Sequence, residues 1–529
     1  MNRTHLRLSG VFVELGARWK IEEVSVRSQH HHKNLQAQVF GVVITHGQLV
    51  HANVEVISTS PDPPSSPPAL TLKLMNQINK TRSAIQKIPC FSHFKREVVT
   101  VHFGQCGSQM GNAVWELFCA EHAVGLDGTL FEEPHVLEWH ETFFSLSGSG
   151  HYVPRAIFVD LEPTVIDEVR VGPWRKLFHP DKLITGCEDA SNNFARGFFT
   201  AGKLILGRLY DEFRRTMETC DFVQGILFFK SLGGGTGAGL SAALLDLLTD
   251  YRKVTKVEVP IYPSPAISTS ITEPYNSVLG EHFSIEDYNM ALLMDNEALY
   301  DICTRYLPAT NTTYNGLNRI ISVVISSITA SVRFENLLGG DFTVVQTNLI
   351  PYPRIHFPLI NFAPCICLEN KYFDEGSTRS ITRQVFEREN QLIKVDPAFG
   401  KYMSCTLLYR GDVDPSQVYY SVMELKTVKC VDFVDWCPTG FKVGIAREPP
   451  VCRIESGIAQ TVRNVVMLAN NSAVSQAWER MLRKYHLLYC RRAFLHWYLC
   501  EGMEKAEFVD AYANISSLVK DYEEVTADC

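Results

Sequence analysis

The chain has 529 residues, of which 46% are hydrophobic and 20% charged, globular proportions with material for two or three domains. A net charge of −8 denies it the basic surface of a nucleic-acid binder, and no apolar run reaches the roughly 18 residues that cross a bilayer. Fifteen cysteines lie at irregular positions without a CxxC pair, and the nearest two, Cys365 and Cys367, are too close for a zinc site, so reduced cysteines in an intracellular, soluble protein are expected.

Residues 1–95 carry 11 Lys+Arg against 5 Asp+Glu, so the acidic balance belongs to the rest of the chain. The Pro/Ser-rich stretch Pro61–Pro68 cannot continue a helix or a central strand. Gln38–Ile57, rich in Val and Ile, predicts a strand pair, and His30, His31 and His32 read as a solvated loop. This segment reads as a basic, weakly structured N-terminal extension. From Glu97 the pattern changes. Glu97–Phe103 is an apolar, β-branched strand running into Gly104, and Met110–His122 has the helical spacing Met110, Val114, Leu117, Phe118. Strands predicted at Arg155–Val159, Phe222–Phe229, Val257–Ile261 and Ala291–Met294 alternate with helices, which is an α/β pattern with a mostly parallel sheet. Near the C-terminus, Asn471–Leu499 predicts one amphipathic helix and Glu501–Val525 a second.

The strongest local signal is the run from Ser231 to Gly239, with five glycines between an apolar strand and the helix predicted at Ala242–Tyr251. Glycines let backbone N–H groups close around an anion, the following helix adds its positive end, and Ser231 and Thr236 add hydroxyls. A second loop, Gly104–Gln109, also joins a strand to a helix, and the carboxylates Asp160 and Glu162 end another strand, where they can hold magnesium through water. Gly197–Lys203 resembles a P-loop only until Leu204, which stands where a Ser or Thr is needed. Gly237–Ala242 fits a dinucleotide GxGxxA with Glu258 as ribose partner, but leaves the Gly233–Gly235 run unexplained.

Together these segments resemble the tubulin family, and its α type in particular. The resemblance rests on Gly233–Gly239, Val159–Asp167, Glu273–Asn276, Val434–Gly444, Glu448–Pro450 and Ala493–Tyr498, and it covers residues 96–529. It implies a tubulin-like α/β fold: a parallel-sheet GTP-binding domain over 96–295, a mixed α/β intermediate domain over 296–471 and a C-terminal helical pair over 472–529. It also implies GTP and Mg2+ as cofactors. Gly104, Gln105, Cys106 and Gln109 would surround the phosphates, with Glu162 toward the metal. Asp189, Ala190 and Asn192 would form a further phosphate-side loop, and Ser231, Gly234, Gly235, Thr236 and Gly237 the glycine-rich cradle. Thr269 and Glu273 would lie at the ribose, and Asn296, Tyr314 and Asn318 would read and stack on guanine. Cys106 departs from the family, which has Ala there. The implied function is a microtubule subunit of the cytoplasmic cytoskeleton, paired with β-tubulin and met by microtubule-associated proteins and motors, with no nucleic acid or membrane partner.

In the family's α type the bound GTP is not turned over; a glutamate is lent instead to the nucleotide of the next β subunit. The alignment puts Val344 in that place, and a valine cannot orient water. The resemblance thus leaves no catalytic residue and an impaired GTPase. Other departures are a shortened, lysine-free segment between Gly128 and His151, Phe373 in place of the family's His, and an end at Cys529 without the acidic tail, which implies weaker recruitment of basic partners. The alternative reading is a non-polymerising relative that caps or regulates microtubules.

Overall fold

A computed structural model describes residues 96–526 except 132–136, 307–312, 335, 339–340, 367–375, 429–430, 439 and 453–457, together with short strands between His30 and Glu55. The chain divides into two compact units, Met1–His93 and Phe94–Cys529. In the first, Gln38–Thr45 pairs antiparallel with Gln48–Glu55, the hairpin that its Val/Ile content predicts. His30–His31 are not in a loop: their backbone pairs with Asn34–Leu35 in a two-residue ladder. The Pro/Ser stretch and Phe373 lie outside the described residues.

The second unit is built on a parallel sheet. Its strands are β1 (Glu97–Phe103), β2 (Ala156–Asp160), β3 (Leu183–Thr185), β4 (Val223–Ser231), β5 (Thr255–Tyr262) and β6 (Met290–Ala291), in the spatial order β3-β2-β1-β4-β5-β6. A further two-residue strand, β7 (Met294–Asp295), also pairs with β5, so the single strand expected over Ala291–Met294 is split at the sheet edge. Every pairing in this sheet is parallel. Such strands are covered on both faces, which is why β1 reads as a continuous apolar run and is buried throughout.

Helix α1 (Gly104–Glu121) follows β1 without a loop, because Gly104 takes a left-handed φ of +68° and turns the chain directly into the helix. The segment expected as a loop over Gly104–Gln109 is therefore the first turn of α1. Next come α2 (Pro163–Val171), α3 (Ala201–Glu218) and α4 (Ser241–Leu247). Thr236–Leu240 winds a wide turn that runs into α4, so helical structure starts within the glycine run rather than at Ala242. After α5 (Glu273–Ser284), helices α6 (Asn296–Tyr306) and α7 (Tyr314–Arg333) lead to a second, mixed sheet. Its strands are β8 (Asn336–Leu338), β9 (Leu359–Ala363), β10 (Tyr402–Gly411), β11 (Phe441–Ala446) and β12 (Arg463–Asn471), ordered β8-β11-β10-β12-β9 with β10 and β11 parallel and the other pairs antiparallel. A short helix, α8 (Phe342–Leu349), lies between β8 and β9 in the chain.

Helix α7 joins the two sheets. Ile321, Val324 and Ile328 share one apolar core with Leu227 and Val257 of the first sheet and with Ile360, Leu408 and Val466 of the second. The opposite face of the first sheet is closed by α3 and α4 through Leu209, Phe213 and Leu244. The predicted helix over Asn471–Leu499 is interrupted. β12 extends to Asn471, a helix spans Ser475–Cys490, and left-handed φ angles at Arg492 and Phe494 separate it from Leu495–Cys500. A last helix, Lys505–Thr526, packs with Ser475–Cys490 on α5 around Tyr275, Trp478, Tyr485 and Phe508.

Candidate functional site

The strand order reverses between β1 and β4: the chain leaves β1 toward β2 and leaves β4 toward β5. In open parallel sheets such a switch opens a crevice at the carboxyl ends of the two strands, and ligands bind there. The two glycine-bearing turns meet at this point. A Cβ added to Gly104 would lie 3.5 Å from the Thr236 Cβ and 3.8 Å from the Gly237 nitrogen. No side chain caps the first turn of α1 or the Thr236–Leu240 turn, and the starts of both turns lie together. Two helix N-termini aimed at one point make an anion site. On the first turn of α1, Gln105 is exposed while Cys106 and Gln109 are half-buried. The close packing around the Cys106 thiol pushes its pKa up to about 12 and leaves it unreactive.

The glycines of the run serve packing as much as flexibility. A Cβ on Gly235 would lie 2.6 Å from the Asn193 carbonyl oxygen and 2.8 Å from the Ala190 Cβ, and one on Gly237 would lie 2.4 Å from the Ser231 carbonyl oxygen. The Asp189–Asn193 loop is thus pressed against the glycine turn, with Ser191 and Asn192 in left-handed backbone and the Asp189 carboxylate accepting from the Ser191 N–H (3.0 Å). The Ser231 hydroxyl points along the same turn, 3.9 Å from where a Cβ of Gly234 would stand.

Asp160, at the end of β2, is buried. Desolvation, with the negative Asp189 and Glu162 adding to it, pushes its pKa up to about 6. Half-buried Glu162 accepts from the Thr164 hydroxyl (2.7 Å). Among the described residues no three His, Cys, Asp or Glu side chains could hold a metal by themselves. Mg2+ takes most of its ligands from water and phosphate and needs only one or two carboxylates, so this donor set fits it.

Glu273, buried at the start of α5, accepts from the Thr269 N–H (3.0 Å), the Thr269 hydroxyl (2.7 Å), the Ser270 N–H (3.1 Å) and the Ser268 hydroxyl (2.7 Å). Its carboxylate is committed to shaping this loop, and Gly233 leaves it room, since a Cβ there would lie 2.9 Å from the Glu273 Cγ. Asn296, Tyr314 and Asn318 form a separate group on the first turns of α6 and α7. Tyr314 is 55% exposed and meets Tyr300 edge-on at 6.4 Å, leaving an aromatic ring free to stack on a base. Glu297 accepts from the Ala266 N–H (3.1 Å) and so ties this group to the Thr269 loop.

Two residues at the site escaped the sequence reading. Asn276 is fully buried; its amide donates to the carbonyls of Asn192 (2.7 Å) and Gly233 (2.9 Å) and accepts from the Phe194 N–H (3.0 Å) and the Tyr498 hydroxyl (2.7 Å). It joins the Asn192 and Gly233 loops to the C-terminal helices. His102 lies stacked between Phe158 and Phe229, contacts the Gly107 carbonyl through Nδ1 (3.2 Å) and accepts from Trp115 at Nε2 (3.2 Å). Burial lowers its pKa to about 3, so it stays neutral and pins the first turn of α1 from below. A polar residue inside an apolar strand was the available signal for His102; Asn276, between Tyr275 and Ser277, stands in no such run.

The competing motifs do not form sites. Gly197–Lys203 is helical, and Lys203 lies over the Phe199 ring. Glu258 is fully buried in β5 and paired with Lys230 at 2.9 Å, out of reach of any ribose. Val344 is half-buried on α8, and Asp341, at the head of that helix, is paired with Arg96 at 3.0 Å.

Comparison with known proteins agrees with this architecture. A model described as the Tubulin/FtsZ family, GTPase domain, matches residues 97–304, and one described as the Tubulin C-terminal domain matches residues 353–483. The tubulin alpha-2 chain of Caenorhabditis elegans is 51% identical over 435 residues, which cover 82% of this chain and 97% of that relative. With a switch-point crevice in the first of these regions, a mixed sheet in the second and homology along nearly a whole α-tubulin, the chain belongs to the tubulin family and is α-tubulin-like.

Proposed function

We propose that the chain is an α-type tubulin subunit that binds GTP with Mg2+ in the β1/β4 crevice, pairs with β-tubulin and enters microtubules of the cytoplasm, where associated proteins and motors meet it. The observation that carries this reading is the convergence of two helical turns without side-chain caps, at Gly104 and Thr236, at the switch point of the sheet. Gly104, Gln105, Gln109, Ser231, Gly234, Gly235, Thr236, Gly237 and the Asp189–Asn192 loop would hold the phosphates. Glu162, with Asp160 behind it, would hold the metal, which supplies charge neutralisation when bound. Thr269 lies toward the ribose, and Asn296, Tyr314 and Asn318 toward the base.

The same reading makes this subunit a poor activator of its partner's GTPase. α8 offers Val344 where the family has a water-orienting glutamate, and Asp341 is already held by Arg96. The test is phosphate release from polymers co-assembled with β-tubulin, with the natural chain beside Val344→Glu. Slow release that the glutamate restores is expected; normal release with valine in place would refute the idea.

One observation favours the second reading, a cap or regulator. The 95 residues before Arg96 join the chain where Arg96 pairs with Asp341, on the helix that carries Val344. Efficient polymerisation of the full-length chain would exclude it.

A further inference from the structure

Beneath the glycine turn lies a buried charge cluster that nucleotide contact does not explain. Lys230 on β4, Glu258 on β5 and Glu281 on α5 are each completely buried, with Tyr288 beside them and Ser241 of α4 above. An ammonium has three N–H groups to satisfy. Here Lys230 reaches the Ser241 hydroxyl at 3.1 Å, the Glu258 carboxylate at 2.9 Å and the face of the Tyr288 ring at 4.8 Å. Glu258 balances the lysine charge. Glu281 finds no hydrogen-bond partner, and burial, with Glu258 nearby, holds its pKa well above the usual carboxylate value.

Because Ser241 accepts from Lys230, its own proton is directed away from the ammonium, and it donates to the Gly237 carbonyl at 2.6 Å. In a planar trans peptide the C=O and the next N–H point in opposite directions. Anchoring the Gly237 carbonyl therefore aims the Ala238 N–H, which donates to the Gly234 carbonyl at 3.2 Å. With that carbonyl held inward, the Gly235 N–H is turned the other way.

We propose that Lys230 is a positioning residue for the phosphate turn, orienting Ser241 so that the Ala238 N–H stays on the Gly234 carbonyl and the Gly235 N–H is presented to a nucleotide phosphate. This rests on the reading of the turn as a GTP site. The test uses the full-length chain in its natural assembled form, loaded with radiolabelled GTP, and measures the rate of label release together with the urea midpoint. Ser241→Ala cuts the relay and leaves the ion pair intact. The double variant Lys230→Met with Glu258→Gln removes the pair at similar volume and leaves no charge stranded. Both are expected to release GTP about tenfold faster, the worth of one hydrogen bond near a charge; the double variant should do so at an unchanged urea midpoint, whereas Ser241→Ala, which leaves one buried ammonium N–H without its acceptor, should also lower the midpoint. Ser241→Thr, which keeps the hydroxyl, should release at the natural rate. Natural release rates in both Ser241→Ala and the double variant would overturn the proposal. Failure of the unaltered chain to retain any label would instead overturn the GTP reading, and this inference with it.

Discussion

Glu121, the last residue of α1, is a severe point at which to perturb this fold. Its side chain is only 1% exposed and faces two guanidinium groups, Arg333 of α7 at 2.5 Å and Arg410 of β10 at 2.8 Å, while Ser326 donates to it at 2.6 Å. Burial alone would raise its pKa, but the two arginines outweigh that and hold it below the usual 4.5. Glu121→Gln keeps the volume and deletes the charge, leaving two buried cations without an anion. Breaking a buried pair in this way costs about 3–5 kcal/mol. The rings of Phe118 and Phe334, 4.6 and 4.7 Å from Arg333, remain, but cation–π attraction is worth only about 0.5–2 kcal/mol and is already present before the change. Urea denaturation should show a loss of at least about 3 kcal/mol, a large share of the 5–15 kcal/mol typical of folded domains. The pH dependence gives a second readout. A carboxylate whose folded pKa is depressed contributes stability that is present above its unfolded value and lost as pH falls through the folded one. The unaltered chain should therefore lose stability below about pH 4.5, and the variant should lack that part of the acid limb. A variant within about 1 kcal/mol of the original, with the same acid limb, would refute the reasoning.

Three further outcomes are expected. Gly235→Ala must displace Asn193, whose carbonyl oxygen would stand 2.6 Å from the new Cβ, so bound nucleotide measured after gel filtration should fall sharply while the second sheet stays folded. Tyr314→Ala removes the exposed ring at the base end; at about 1–3 kcal/mol per stacked base, GTP should bind about 5- to 150-fold more weakly in a competition assay. With its pKa near 6, Asp160 is protonated in mild acid, so the slowing of nucleotide release by Mg2+ should fade as pH drops through about 6, and Asp160→Asn should flatten that profile. The sign for folding is the reverse of that for Glu121: a raised carboxyl pKa stabilises below its unfolded value of 3.8, and this contribution is lost as pH rises through 6.

The order of strands and helices was legible because parallel strands buried on both faces leave mostly apolar runs, as β1 and β4 do. The glycine run was legible as a turn after a strand, but its packing role was not: that Gly235 exists to admit Asn193, or Gly233 to admit Glu273, depends on residues 42 and 40 positions away. Helix ends were misjudged where a single backbone angle decides them, at Gly104, Arg492 and Phe494, since periodicity carries no information about one φ. Glu258 shows the limit of motif spacing. It stands at the right distance from a GxGxxA run, yet its side chain is spent on Lys230 in the core.

Helix α7 runs 20 residues, about 30 Å, and is buried along nearly all of it. At one end stands Tyr314, exposed where a base would lie; at the other, Arg333 is clamped into Glu121 and Ser326. Close-packed interiors yield little to compression, so a push at the first end arrives at the second as a displacement rather than being absorbed. The helix stands as a strut between the two sheets, holding Tyr314 and the Arg333 clamp at a fixed spacing by packing along nearly its whole length.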